Sequence, residues 1–162
     1  MSIELIIGPM THLQAESLQK SYLLEREIFG RAALIINFHP AEIVDVGVMV
    51  CPDRTTLPCL CTAKLMDVQA TFDSVYIHNA HLFPDLKEFV LSQNHLGRNV
   101  LVYAADSDHK QAKLGQVWDI LPFAHHITKP LLVCANPKCL KFATCSMMLE
   151  SRYIAVCPQC HR

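Results

Sequence analysis

Four cysteines near the carboxyl end form two pairs, Cys134-x4-Cys139 and Cys157-x2-Cys160, with 17 residues between the pairs. Each pair is spaced to hold one ion from a tight turn, and Pro137 and Pro158 lie inside the two turns. This pattern is typical of a closed Cys₄ zinc site, which leaves no coordination position for water. The sequence therefore predicts a structural Zn²⁺ ion and not a catalytic one.

Other ligand sets remain open from the sequence. The first pair is spaced more loosely than C-x-x-C, so the four thiols could instead be two reactive or buried pairs. Cys145 lies between the pairs and His161 follows the second, and either could be a ligand. We prefer the four paired cysteines, because Cys145 lies in a run, residues 142–149, that is typical of a packed strand.

A second candidate site follows the first apolar run of the chain. Residues 3–7 are typical of a buried strand that breaks at Gly8-Pro9, and a helical stretch follows. This arrangement suits a loop of the G-x-x-x-x-G-K-[ST] kind, which binds phosphate through backbone amides, a lysine and a Mg²⁺-binding hydroxyl. Counting from Gly8, those positions hold Leu13, Gln14 and Ala15. The scaffold of a phosphate site is present and its chemistry is absent.

The intervening elements indicate a mostly parallel α/β sheet flanked by helices. Strands are predicted over residues 32–38, 43–51, 74–77 and 100–105, and a helix from about Pro84 to Gly97. Residues 54–61 are predicted to be irregular, and residues 63–70 to form a short helix. We predict an α/β domain over residues 1–130 and a zinc-binding lobe over residues 131–162.

Composition excludes several classes of protein. A formal net charge of −1 gives no electrostatic case for nucleic acid or an anionic membrane. No stretch approaches the roughly 18 apolar residues of a membrane span. Eight cysteines without a secretory signal favour metal ligands or buried thiols in a reducing compartment, so we expect a soluble, cytoplasmic protein.

Four segments of the chain resemble motifs of the type II thymidine kinases of animals, bacteria and large DNA viruses, and they occur in the same order as in that family. Gly8-Pro9-Met10 resembles that family's G-P-M-F-S-G-K-[ST], and residues 77–85, IHNAHLFPD, resemble its I-D-E-[GA]-[QH]-F-F-x-D. Residues 99–134 follow the family pattern without a gap, and Tyr153-x-x-Val156-Cys157 resembles its Y-x-x-V-C. The resemblance implies a P-loop-type α/β domain, a zinc-ribbon-like lobe carrying a nucleoside-binding lasso, and commonly a tetramer.

The departures from the family fall on its chemistry. The resemblance assigns the phosphate lysine to Gln14, the Mg²⁺-binding hydroxyl to Ala15, the aspartate near the metal to His78 and the general base to Asn79. Asn79 cannot accept a proton near neutral pH, and loss of a general base alone typically costs about 10²- to 10⁴-fold in rate. We therefore expect neither ATP nor Mg²⁺ to be bound.

The nucleoside side also departs from the family. The aromatic residue that helps to hold thymine corresponds to His109, and the lasso between the cysteine pairs is shortened to 17 residues. This connection is strongly apolar, so we expect it to expose an apolar strip that contributes an interface. A fully packed β-hairpin is the alternative.

Two functions from different classes follow. The first is a thymidine-kinase-like pseudoenzyme that binds another protein, such as a viral accessory factor acting on a host partner, and that forms a homodimer or homotetramer. The second is a divergent nucleoside kinase that uses His78 or Asp106 in place of the missing groups. A zinc ribbon that binds nucleic acid is disfavoured by the net charge. His78 and His81 with Asp85 nearby could form a metal or acid/base site, but hydrogen-bonded histidines are the simpler reading.

Overall fold

A computed structural model describes residues 1–9, 13–40 and 44–161; the side chain of Leu13 and residues 10–12, 41–43 and 162 lie outside the description. The strands are β1 (Ile3–Gly8), β2 (Ala33–Phe38), β3 (Asp45–Val50), β4 (Thr56–Thr62), β5 (Ser74–His78), β6 (Asn99–Ala105), β7 (His126–Thr128), β8 (Leu132–Val133), β9 (Phe142–Ala143), β10 (Cys145–Leu149) and β11 (Arg152–Val156). The α-helices are α1 (Leu13–Leu23), α2 (Leu86–His95) and α3 (Val117–Ile120).

Seven strands form one sheet in the order β3-β4-β2-β5-β6-β1-β7. Every neighbouring pair is parallel except β3 and β4, which form an antiparallel hairpin. The predicted mostly parallel α/β sheet is confirmed. The carboxyl ends of β1, β2, β5 and β6 consequently meet at one edge, which is where such sheets commonly bind ligands.

Both faces of the sheet are buried, which explains why its central strands are continuous apolar runs. On one face Leu18 and Tyr22 of α1 pack with Ile35, Tyr76 and Tyr103. On the other face α2 and α3 pack against the alternating set of strand residues; that set includes Ile3, Leu5, Ile36, Val75, Ile77, Val100 and Val102. Within the described residues, no helix is long and apolar enough to cross a membrane.

Two local predictions were wrong. Residues 54–61 were expected to be irregular, but Thr56–Thr62 form β4. Pro58 of this strand pairs with Val48 of β3 and lies before the residues at which β4 pairs with β2. A proline has no N–H to donate, so it is tolerated where that side of the strand has no partner. The short helix expected over residues 63–70 is a single 3₁₀ turn, Leu65–Asp67.

The carboxyl-terminal segment forms two small antiparallel sheets, β8 with β9 and β10 with β11. The core of this segment is built largely from cysteines. Cys134, Cys145, Val156 and Cys157 form one buried cluster, and Met147 and Ile154 pack against it. The division of the chain at residue 130 into two domains stays a prediction.

Candidate functional site

The first turn of α1 places Gln14 and Ala15 against the sheet. Gln14 is 6% exposed, and its Nε2 donates to the backbone carbonyl oxygen of Ala104 at 2.7 Å. Ala15 is buried beside it. The side chain at the position assigned to the phosphate lysine therefore points inward and makes a buried hydrogen bond. In this arrangement it does not serve as the anion-binding group that a helix amino terminus could otherwise support.

His78 and Asn79 lie where β5 ends. His78 Nδ1 is 3.1 Å from Asn37 Oδ1, and Asn79 Nδ2 donates to the same oxygen at 3.3 Å. Asn79 has a left-handed backbone, with φ of 53°. Asn37 comes from the carboxyl end of β2, which pairs in parallel with β5 through Asn37 and His78. The end of β5 is thus tied to the end of β2 by uncharged groups.

The two histidines of this region are held in the neutral form. Removal from water, reinforced by the nearby His81, lowers the pKa of His78 to about 4. Burial also lowers the pKa of His81, whose Nδ1 accepts a hydrogen bond from the Ala105 amide at 3.2 Å. At neutral pH both imidazoles are therefore uncharged.

Asp85 does not join the histidines. Its two carboxylate oxygens accept hydrogen bonds from the amides of Leu65 and Met66 at 3.1 and 2.9 Å, so it caps the 3₁₀ turn that follows β4. Because Asp85 bonds elsewhere and each histidine has its own hydrogen-bond partner, His78 and His81 are best described as hydrogen-bonded residues and not as a metal or acid/base site.

Asp106 follows β6 and is the carboxylate nearest to the end of that strand. Its side chain is 5% exposed, and Oδ2 lies 2.5 Å from Nζ of Lys129, whose side chain is 48% exposed. The Asp106 amide donates to the Gly8 carbonyl at 3.1 Å, which ties β6 to the end of β1. Asp106 and Lys129 form an ion pair near Gly8 in which the carboxylate is buried and the ammonium group is half exposed.

Gly115 explains how the segment after β6 is fixed. Its φ is +51°, and a Cβ at this position would lie 2.2 Å from the backbone oxygen of His81. Only glycine fits so close an approach in this conformation. The segment from Asp106 to Gln116 is therefore pressed against the turn that follows β5.

The same segment contacts the carboxyl-terminal lobe. His161 Nε2 lies 2.7 Å from the backbone oxygen of His109 and 3.1 Å from that of Ser146. Gln111 Nε2 donates to Cys145 Sγ at 2.8 Å. His109, to which the resemblance assigns the place of the thymine-holding residue, thus lies in a segment bound to the lobe by His161 and Gln111. Sequence reasoning weighed His161 only as a metal ligand and missed this connection, since no local pattern joins residues so far apart in the chain.

The predicted metal ligands come together in that lobe. The side chains of Cys134, Cys139, Cys157 and Cys160 place their sulfur atoms within 4.8 Å of one another, the one such ligand cluster in the described ranges. Cys139 Sγ and Cys157 Sγ are 3.7 Å apart, close to the spacing of thiolates about 2.3 Å from a tetrahedral Zn²⁺. Cys145 and His161 lie outside the cluster and have the partners given above. The four paired cysteines fit a zinc ion.

Comparison of the sequence with known proteins assigns the chain to one protein family. A family model described as thymidine kinase matches residues 1–161. The chain belongs to the thymidine kinase family.

The relatives are distant in sequence. A thymidine kinase of Oryza sativa subsp. japonica is 28% identical over 141 residues, which cover 82% of this chain and 52% of the rice protein. Thymidine kinases of Myxoma virus (strain Uriarra) and Variola virus are 26% and 25% identical, and each alignment covers 98% of this chain. The chain spans about half of the rice protein but 95% and 96% of the two viral proteins.

Proposed function

We propose that this protein keeps the thymidine kinase fold without its chemistry and acts by binding another protein. The observation that carries the proposal is the buried amide of Gln14, bonded to Ala104 at the position assigned to the phosphate lysine. Phosphoryl transfer depends on neutralising the charge of the transferred group, chiefly by a lysine and Mg²⁺. The side chain of Gln14 is uncharged, and its amide already donates a hydrogen bond to the central sheet.

The end of β5 supports the same proposal. Asn79 stands where the family has its general base, and it is bound to Asn37 with His78 beside it. Neither an amide nor a neutral imidazole replaces a carboxylate as a Mg²⁺ ligand, because Mg²⁺ is bound almost entirely through charged or water oxygens. We therefore propose that neither ATP nor Mg²⁺ is bound.

The carboxyl-terminal lobe is the proposed contact surface for a protein partner. We define the zinc-lobe surface by its exposed apolar side chains, Leu140, Phe142, Met148, Leu149 and Tyr153, which are 93%, 60%, 49%, 54% and 39% exposed. Met148 and Tyr153 are directly opposite each other on β10 and β11. Exposed apolar surface of this kind, with a methionine in it, suits adaptable protein contacts.

The class of partner that we propose is suggested by the relatives of matching length. Those are viral proteins, which supports a viral accessory factor whose zinc-lobe surface binds a host protein. None of the eight cysteines forms a disulfide, which suits a reducing compartment, so we propose a cytoplasmic location. We also propose a homodimer or homotetramer, the assembly that the resemblance to the family implies. The near-zero net charge argues against nucleic acid and membrane partners.

A divergent nucleoside kinase is the second candidate. The observation that favours it is the pKa of about 4 at His78, which burial lowers into the range of an ordinary glutamate. Asp106 also retains a carboxylate at the end of β6, although Lys129 already occupies one of its oxygens.

Titration calorimetry separates the two candidates. Zinc-loaded protein is titrated with ATP-Mg²⁺, with thymidine and with both together. The pseudoenzyme predicts no saturable heat up to millimolar ligand. Micromolar binding of both ligands would favour the kinase and contradict the proposal.

A further inference from the structure

Two cysteine side chains lie next to each other on β4, in the central sheet. Cys59 and Cys61 are two positions apart, so they point to the same face of the sheet, and their Sγ atoms are 3.8 Å apart. Cys59 is buried in the apolar cluster that contains Tyr22, and Cys61 packs against that cluster with part of its surface exposed. The two thiols therefore form one pair at the border of the core.

The neighbouring strand β3 makes room for this pair. Gly47 of β3 pairs with Cys59, and a Cβ at Gly47 would lie 2.6 Å from Cys61 Sγ and 3.9 Å from Cys59 Sγ. Glycine inside a strand weakens the strand and commonly marks a close approach of other atoms. Here the approaching atoms are two sulfurs, which occupy the space that a side chain at Gly47 would fill.

The geometry of the pair does not favour a disulfide. A disulfide holds its sulfurs about 2.0 Å apart and its Cα atoms at most about 6.8 Å apart, whereas residues two apart on a strand already reach that limit, at roughly 6.4 to 6.8 Å. Burial and the contact with Cys61 also raise the pKa of the Cys59 thiol to about 12. Cys59 is therefore a poor source of the thiolate that starts disulfide formation.

We propose that Cys59 and Cys61 bind one Cu⁺ ion through their two sulfur atoms. With metal–thiolate bonds of about 2.3 Å, as in zinc sites, an ion between sulfurs 3.8 Å apart lies slightly off the line that joins them. Binding forms two Cu–S bonds and releases the two thiol protons to solvent. The copper and both sulfurs keep their oxidation states, so no oxidant or reductant takes part.

The number of ligands selects Cu⁺ among the metals that sulfur prefers. Thiolates select Cu⁺, Zn²⁺ and iron–sulfur clusters, and the last two commonly require four protein ligands. In the described ranges, the carboxyl-terminal cysteines are the one group of three or more metal-binding side chains close enough to share an ion. The residues opposite Cys61, Asp45 on β3 and Asn37 on β2, accept hydrogen bonds from the Val46 amide and from Asn79. The pair thus offers two ligands.

A cation near the pair favours the charged complex. One Cu⁺ with two thiolates carries a net charge of −1, and a buried charge is costly without a counter-charge. Cys59 and Arg26 line the same cavity of about 390 Å³ between β2 and β4. Arg26 Nη1 donates to the Tyr22 hydroxyl at 2.9 Å, which holds the guanidinium beside the buried cluster. No carboxylate lines this cavity in the described part of the chain.

The copper site uses no residue of the zinc lobe and none of the positions at which the family has its catalytic groups. The inference therefore goes beyond the proposed function and does not depend on it.

Competition for Cu⁺ in the absence of oxygen tests the proposal. Zinc-loaded protein receives one equivalent of Cu⁺ from the coloured chelate with bicinchoninate, and copper uptake and zinc release are both measured. We expect one Cu⁺ per chain with all zinc retained. No copper uptake, or uptake matched by loss of zinc from the carboxyl-terminal cysteines, would overturn the proposal.

Serine variants identify the ligands. Cys59→Ser and Cys61→Ser should each weaken Cu⁺ binding at least about tenfold, because a hydroxyl is a much harder ligand than a thiolate. Cys51→Ser is the matched control, since Cys51 is buried in the same cluster but lies four residues beyond Gly47, roughly 13 Å along the strand. Copper binding that survives both ligand variants, or that is lost equally in Cys51→Ser, would overturn the assignment.

Gly47→Ala tests the geometry and covers the case in which a serine variant unfolds. The added methyl group takes the place of the Cys61 sulfur and leaves both thiols in the chain, so we expect a folded protein that binds Cu⁺ at least about tenfold more weakly. X-ray absorption at the copper edge of the unaltered protein should show two sulfur neighbours. A folded Gly47→Ala variant with undiminished copper binding, or copper bound through nitrogen or oxygen, would overturn the proposal.

Discussion

Gln14 Nε2 donates to the Ala104 carbonyl oxygen at 2.7 Å and so joins the first turn of α1 to the central strand β6. Ala104 is the β6 residue opposite Ile7, one position before β1 ends at Gly8. The bond therefore lies beside the end of β1, one residue before Gly8. A lysine at this position would have to leave the buried site, since an unpaired buried cation is strongly disfavoured.

That relationship predicts that Gln14→Lys with Ala15→Ser does not create a thymidine kinase. The pair restores a cation and a hydroxyl, but Leu13 still occupies the second glycine position and Asn79 still replaces the base. We expect thymidine-dependent ADP release equal to that of the unaltered protein. Release clearly above that level would show that the other losses matter less than we infer.

A zinc content of one ion per chain is expected in protein purified without added metal. Cys157→Ser should reduce it to near zero and melt at least the carboxyl-terminal segment, because structural zinc contributes on the order of 10 kcal/mol to the folding of small metal domains. Cys51→Ser is the matched control, since Cys51 is buried outside the cluster. Metal analysis decides the point: folded protein without zinc would contradict the assignment of these ligands.

His78 makes the free energy of unfolding depend on pH, so that the protein is less stable in acid. Its pKa is about 4 in the folded chain and about 6.5 when unfolded, so the unfolded state binds the extra proton. The stabilising contribution is complete above pH 6.5 and is lost as pH falls towards 4, by on the order of 3 kcal/mol at most.

Chemical denaturation at pH 7 and pH 4.5 measures this dependence. His78→Gln should lose less stability on acidification than the unaltered protein, while His126→Gln, at an exposed histidine, should behave like the unaltered protein. An identical pH dependence in the His78 variant would show that this imidazole is not held neutral.

The zinc-lobe surface predicts different results at two adjacent methionines. Met148 is 49% exposed, whereas Met147 packs against the cysteine cluster. Met148→Glu should remove partner capture and preserve the thermal transition, and Met147→Glu should lower that transition. Undiminished capture by a folded Met148→Glu variant would exclude this surface.

The sequence predicted what depends on local pattern. The buried strands β1, β5 and β6 were read from uninterrupted apolar runs, and the four cysteines from pairs held by short turns. The sequence pattern did not predict β4, which contains Pro58. A strand accepts a proline only where the proline nitrogen faces no neighbouring strand, and at Pro58 β4 does not yet pair with β2.

Contacts between segments far apart in the chain could not be predicted from the sequence either. Asn37 meets His78 only because β2 and β5 are neighbours, and His161 meets His109 only because the lobe packs against the segment after β6. The approach of Cys61 to Gly47 follows from the pairing of β3 with β4, which the spacing of the cysteines in the sequence does not reveal.

A multiple-turnover assay tests the central claim most directly. Zinc-loaded protein at about 10 µM is incubated with γ-labelled ATP, Mg²⁺ and thymidine, and labelled thymidine monophosphate is measured over hours. We predict no product above a reaction without the protein. Product formed over many turnovers, and lost in both Asp106→Asn and His78→Ala, would show that the fold still performs phosphoryl transfer with those side chains.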